Sequence, residues 1–341
     1  MDSVRLAEVV RQELTESMHR GSVAVVDHQG NLLAYAGDPG MITYIRSAAK
    51  PIQAVTVLES GAAAHYGFTP EEIALLASSH SGEEGHIRVL MQILDKIGLS
   101  AGHLQCGTHL PFHREGAGAL MAKGLKPTVF HCNCSGKHAG MLTLARFKHW
   151  SLEEYYLMEH PVQKLMLQTV ADFTGLSAER IPLGVDGCGV PVFAVPLEKM
   201  ALAYARLVQP AGFNERRKGA CESVVTAMLA HPFIISGTGR LTTELMTAAE
   251  GKLVAKDGAE GVYCMGIPRL GWGIAVKIED GHTRALGPVI LHVLQELNIL
   301  SREQLERLSA YAWSKLKNFR GETVGEIRPA ASFRLEKIRR N

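Results

Sequence analysis

The sequence predicts an α+β fold, with an antiparallel sheet built from N- and C-terminal segments, helices packed on it and a mainly helical middle. Three observations point there. Strand-like runs separated by turn residues lie near both ends of the chain. Between about Thr69 and Phe233 the apolar residues recur mostly at helical spacing. Strands and helices do not alternate in the regular order that builds a doubly wound parallel sheet. The chain reads as one domain, 1–341, with its sheet region at about 17–60 and 234–341 and its helical region at about 61–233.

The first element is a hairpin. SVAVVDHQGNLLAYAGD, Ser22 to Asp38, holds two strand-like runs around the turn residues Gln29, Gly30 and Asn31. A helix follows, because Ile52, Val55 and Leu58 repeat at helical spacing after Pro51, a residue tolerated at a helix start. TPEEIALLASS carries a capping box: Thr69 can cap, Pro70 fits the first turn, and Glu72 stands three after the cap. A further helix is expected from Ser151 to about Phe173. Strands return with EGVYCMGI and then WGIAVKIEDGHTRAL, where Ile274, Val276 and Ile278 alternate before the turn pair Asp280 and Gly281. A last helix starts near Pro288.

Composition narrows the function classes. A 46% hydrophobic content supports a substantial core, and a net charge of +2 argues against a nucleic-acid surface. The basic end RLEKIRRN reads as a solvated tail. No run of about eighteen apolar residues suggests a membrane span. The charged start MDSVRLAEVVRQEL is unlike a signal peptide, so a cytoplasmic protein is expected. Six cysteines in 341 residues fall short of a disulfide scaffold and read by default as buried thiols.

Chemistry enters with RSAAKPIQAV, residues 46–55. Ser47 and Lys50 are three apart, at the start of a helix whose unpaired N–H groups favour a developing oxyanion. Spacing alone decides little, because SKLK at Ser314 to Lys317 matches the same pattern. A lysine acting as base near pH 7 must lose about three units of pKa, roughly 4 kcal/mol, so a second cation and a proton-relaying hydroxyl are expected nearby. LASSHSGEEGH supplies Ser78, Ser79 and Ser81 around His80, though a polar helix end would look the same. AKDGAEGVYC supplies Lys256 two before Gly258 at the edge of a strand run, and Lys96 to Gly98 repeats that weak pattern. The three elements occur in the order found in serine β-lactamases and penicillin-binding proteins.

A fourth constellation lies in glycine-rich loops. FHCNCSGKHAGML and GVDGCGVP bring in Cys132, Cys134, Lys137, His138, Asp186 and Cys188. Thiolates and imidazole can bind zinc, but Cys-x-Cys is not the Cys-x-x-Cys spacing of structural sites. Both a metal centre and plain buried thiols stay open on spacing alone.

Together HRGSVAVVD, RSAAKPIQA, SSHSGE, NCSGKHAGML, GVDGCGVP, KDGAEGV and VGEIRP resemble the asparaginase II family, the thermolabile, Rhizobium-type L-asparaginases, over about Ser17 to Pro329. The resemblance implies a serine β-lactamase-like and glutaminase-like fold, hydrolysis of L-asparagine to L-aspartate and ammonia, and a homodimer. It implies two Ser-Lys tandems, Ser47 with Lys50 and Ser79 with Lys256. It also implies a zinc held by Cys134, Lys137 and Cys188, and polar site residues Arg46, His80, His138, Asp186, Gly187 and Arg240. GTGRLTTELM follows the family's region around Arg240.

The mechanism expected from these residues is double displacement, with a neutral Lys50, its pKa held down by Lys256 and zinc, taking the proton from Ser47. Two other classes compete: a β-lactamase-like amidase or esterase on another small substrate, and a non-catalytic amino-acid-binding protein. The asparaginase-like loops argue against the first, and the retention of both tandems argues against the second.

Overall fold

The computed structural model describes residues 2–338. The chain divides into two compact units, one made of Met1–Ala48, Val195–Gln209 and Glu244–Asn341, the other of Ala49–Ala194 and Pro210–Thr243. No helix among the described residues is long and apolar enough to cross a membrane.

The first unit is built on a nine-stranded sheet. From one edge its order is Ser314–Lys317, Thr323–Pro329, Val4–Arg11, Leu14–Asp27, Trp272–Ile278, Val262–Ile267, Val254–Gly258. Leu32–Ala36 also pairs with Leu14–Asp27 and carries the short Glu336–Lys337. The expected hairpin forms, its turn closed by Asp27, whose carboxylate accepts from the N–H groups of Gln29 and Asn31 at 3.0 Å. Gly21 to Asp27 are all buried, which explains why SVAVVD is a near-continuous apolar run and not an alternating one. The helices Leu197–Val208 and Leu286–Glu296 pack on this sheet. The α+β class and the pairing of N- with C-terminal strands are as the sequence predicts.

One expectation, the solvated basic tail, is corrected in this unit, and two further points emerge. The charged start of the chain is the strand Val4–Arg11, paired on both sides. The basic end is not a free tail up to residue 338: Leu335 is buried, and Glu336 and Lys337 pair with Tyr35 and Ala34. Residues 339–341 of that stretch lie outside the described residues. The competing SKLK is a strand, in which residues three apart point to opposite faces, so Ser314 and Lys317 cannot act as a pair.

The second unit is helical, with Lys50–Glu59 buried from Lys50 to Val57 and packed by Ser135–Phe147, Pro161–Thr174 and Glu215–Ala230. The capping box forms as read: Thr69 Oγ1 accepts from Glu72 N, and Glu72 Oε2 accepts from Thr69 N at 2.6 Å. The helix expected from Ser151 begins only at Pro161. Proline suits the first turn and cannot extend a helix backwards, and His160 caps this start by accepting from Val162 N. The preceding segment turns instead, burying Tyr155.

Candidate active site

In the first unit, Ser47 lies in the 3-10 turn Arg46–Ala49, which runs directly into the helix Lys50–Glu59. Arg46 has φ 52°, a left-handed conformation uncommon for a non-glycine residue and frequent at functional sites. The turn is held from two sides. Ala48 N donates to Ile45 O, and the buried Tyr204 hydroxyl donates to Ala48 O at 2.8 Å.

Lys256 lies on the edge strand Val254–Gly258, whose end abuts this turn. A Cβ on Gly258 would stand 3.0 Å from Ile45 O and 3.3 Å from Arg46 Cβ, so the glycine of Lys-x-Gly permits the close approach. Lys256 is fully buried, its Nζ donating to Asp257 O and Oδ1 at 2.8 and 2.9 Å. The structure brings the end of the Lys256 strand against the turn that carries Ser47.

In the second unit, Lys50 Nζ is 2.9 Å from Ser78 O, 2.9 Å from Ser79 Oγ and 3.1 Å from Asn133 O. Two of these partners are carbonyl oxygens, which only accept. Two hydrogens of the amine are thereby committed, and the third position faces the Ser79 hydroxyl, which both donates and accepts. That contact is a proton path. It also joins Lys50 to a serine that the resemblance assigns to the other tandem.

The loop that presents Ser79 is tied to the segment before Arg240. Ser79 N donates to Ile235 O, Ser81 Oγ to Ser236 O, and Thr238 N and Oγ1 to the two carboxylate oxygens of Glu83 at 2.9 and 2.7 Å. These are charge-assisted bonds to a largely buried carboxylate. Glu83→Ala is therefore expected to cost about 1.5–3 kcal/mol in stability and to reduce turnover by loosening Ser79. Urea unfolding checks this, and an unchanged midpoint would show that the tie is idle.

The cysteines converge in the same unit. Gly136 allows it: a Cβ there would lie 2.2 Å from Leu75 O, so only glycine lets the helix Ser135–Phe147 approach Pro70–Leu76. Lys137 Nζ lies 3.1 Å from Cys188 Sγ, and the thiols of Cys132 and Cys188 neighbour Cys134. Those two thiols, helped by the charges of Lys50 and Lys137, hold Cys134 well below the usual thiol value despite burial. Burial pulls the Lys137 amine down, but the Cys134, Cys188 and Asp186 charges more than reverse it and raise it above its ordinary value.

A family model for L-asparaginase II matches residues 7–329. The chain belongs to the L-asparaginase II family. As a member it is an amidohydrolase acting on a small-molecule amide. No curated protein sequence matches it. Among solved structures it is similar to a Bacillus glutaminase, at 14% identity over 82% of this chain and 91% of that one, with a TM-score of 0.38. It is also similar to a beta-lactamase from Mycobacterium bovis, at 12% identity over 86% and 92%, with a TM-score of 0.39.

The zinc that an asparaginase II chain is expected to carry can be tested against its donors. Among the described residues, no three His, Cys, Asp or Glu side chains gather closely enough to hold a metal. The donor set that does gather contains a lysine. Two thiols and one amine suit zinc and leave a fourth position open, provided that binding displaces the Lys137 proton. The residues fit.

The other expected polar residues of this asparaginase II chain fare unequally. His80 accepts from Gly82 N on Nδ1 and meets Ser135 Oγ through Nε2 at 2.8 Å, so both ring nitrogens are engaged in bracing the serine loop. The Asp186 carboxylate accepts from Gly187 N at 2.9 Å, in the turn between Leu183–Val185 and Pro191–Pro196 that also carries Cys188. The Arg240 guanidinium stacks over the Phe112 ring at 5.5 Å. His138 is buried and bonded to Tyr155. Sequence reasoning missed Asn133, which acts through its backbone carbonyl, and Glu83 and Tyr155. Glu83 is visible in SSHSGE as a charge beside the serines, whereas a carbonyl leaves no trace in sequence.

Burial, joined by the positive charges around them, keeps two histidines of the site neutral: His80 lies well below 6.5 and His138 falls to about 3. The unfolded chain binds their protons near pH 6.5. Their contribution to stability is thus complete above pH 6.5 and lost as the pH falls towards 3, at about 1.4 kcal/mol per pH unit for each neutral histidine. Metal-free protein should lose stability between pH 7 and 5, and His80→Gln should lessen the slope. A urea midpoint flat over that range would contradict this.

Proposed function

We propose that the chain is an L-asparaginase in which Ser47 is the nucleophile and Lys50 and Ser79 move the proton. The observation that carries this reading is the Lys50 Nζ to Ser79 Oγ contact beside two carbonyl acceptors. Lys50 follows Ser47 by three residues along one helical run. Ser47 Oγ attacks the side-chain amide carbon of asparagine, and its proton reaches Lys50 by way of the Ser79 hydroxyl, which faces the one position of the amine that no carbonyl holds. The oxyanion is held by backbone N–H groups, that of Ser47 among them, each worth about 2.7–4 kcal/mol. The proton passes through Ser79 to the departing nitrogen, ammonia leaves, and water hydrolyses the aspartyl ester along the reverse path.

Lys256 supplies fixed positive charge beside the Ser47 turn and a second route for the proton. Zinc bound by Cys134, Lys137 and Cys188 would clamp two loops and orient a polar end of the substrate. His138, Asp186, Gly187, Arg46 and Arg240 are assigned to substrate recognition. His80 is assigned to bracing the serine loop. A cytoplasmic location is proposed from the sequence reading above, and a homodimer from the family resemblance.

The test is ammonia release by the purified chain from asparagine and glutamine, beside hydrolysis of a chromogenic lactam and a simple ester. Asparagine should be turned over, and protein prepared without chelator should contain about one zinc per chain. Hydrolysis of the lactam or ester without ammonia from asparagine would replace this reading with the esterase class.

A further inference from the structure

The pairing of His138 with Tyr155 belongs to none of the steps above. The phenol oxygen of Tyr155 has two hydrogen-bond neighbours among the described residues: Gln105 N at 2.9 Å and His138 Nδ1 at 2.7 Å. Gln105 N–H can only donate, so the phenol hydrogen finds an acceptor among these two neighbours only with His138 Nδ1 as the unprotonated nitrogen. The imidazole hydrogen then sits on Nε2. That atom is buried and has no hydrogen-bond partner among the described residues.

A buried N–H donor without an acceptor is rare in folded proteins and calls for a reason. His138 lies one turn beyond Cys134, its backbone N donating to Cys134 O, so the two share a helix face. The residue before Cys134 supplies the carbonyl that holds Lys50. The donor therefore belongs to the face that carries the candidate centre.

We propose that Tyr155 is a positioning residue that locks His138 as an Nε2–H donor for the α-carboxylate of the bound amino acid, an inference that rests on the asparaginase reading. Tyr155 is well built for this. It is fully buried, its own carbonyl accepts from Gln163 Nε2 at 2.8 Å, and burial raises its phenol above the ordinary value, which keeps the hydrogen on the oxygen. The carboxylate is common to asparagine and aspartate, so the contact serves binding more than the chemical step.

The test is long-range 1H–15N correlation of the full chain labelled at histidine nitrogen, with the His138 signals assigned by their loss in His138→Gln. Wild-type protein should show Nδ1 unprotonated and Nε2 protonated, and saturating aspartate should shift Nε2–H. Tyr155→Phe should show a mixture of tautomers and a KM for asparagine raised about five- to tenfold, with kcat within about twofold. A purely structural tyrosine would lower stability without moving the tautomer. Protonation of wild-type Nδ1, or aspartate binding seen by calorimetry with Nε2–H unmoved, would overturn the proposal even if Tyr155→Phe fails to fold. If aspartate neither binds nor shifts the signal and asparagine yields no ammonia, the asparaginase reading falls and the carboxylate assignment falls with it.

Discussion

Ser47→Ala is expected to reduce ammonia release from asparagine by about 10⁴-fold or more while leaving the chain folded. The loss follows from removing the only atom that forms the acyl bond, since binding and oxyanion contacts alone leave a small residual rate. The fold should survive because the turn is held by backbone and not by the serine side chain. Ile45 O and the Tyr204 hydroxyl fix Ala48 on either side of its peptide unit. Steady-state kinetics with a thermal unfolding control check both halves. Near-normal turnover in a folded variant would mean that another group is the nucleophile.

The second large effect is expected at Lys50, where two substitutions separate chemistry from packing. Lys50→Met should lower kcat by about 10³-fold, within the range of a lost general base. It also strips Ser78 O and Asn133 O of a buried donor, at about 1–3 kcal/mol each. Lys50→Arg keeps donors for those carbonyls but cannot give up a proton at working pH. It should lose a similar factor in kcat with less loss of stability. An active arginine variant would reduce Lys50 to a structural role and leave the proton path without its carrier.

How far the fold could be read depended on whether local chemistry and tertiary context agreed. The hairpin turn around Gly30 and the box at Thr69 and Glu72 are closed by contacts among near neighbours, and both formed as read. The strand Val4–Arg11 was hidden for a physical reason. Register shifts fall between Arg5 and Ala7 and between Val9 and Val10, so its burial does not alternate. The docking of Leu335 depends on a strand three hundred residues away in sequence, at Leu32–Ala36, and nothing local to the tail announces it.

The site divides the same way. Ser47, Lys50, a serine of the SSHSGE loop and Lys256 could be put forward from the chemistry a Ser-Lys pair needs and from motif order, whereas the choice of Ser79 among those serines came from the family resemblance. Spacing did not reveal that Lys50 meets Ser79, since that contact spans 29 residues and is set by how the serine loop is tied through Glu83 and Ser81. The role of Tyr155 was likewise out of reach, because it depends on which nitrogen of a buried histidine it touches. A lysine among zinc ligands follows no familiar spacing, and only family resemblance suggested it.

The most direct test of the account is peptide mass spectrometry of protein quenched with acid during turnover of asparagine. An aspartyl ester on the peptide containing Ser47, absent in Ser47→Ala, is the predicted result. An adduct on Ser79, or ammonia release with no acylated serine at any time, would contradict it.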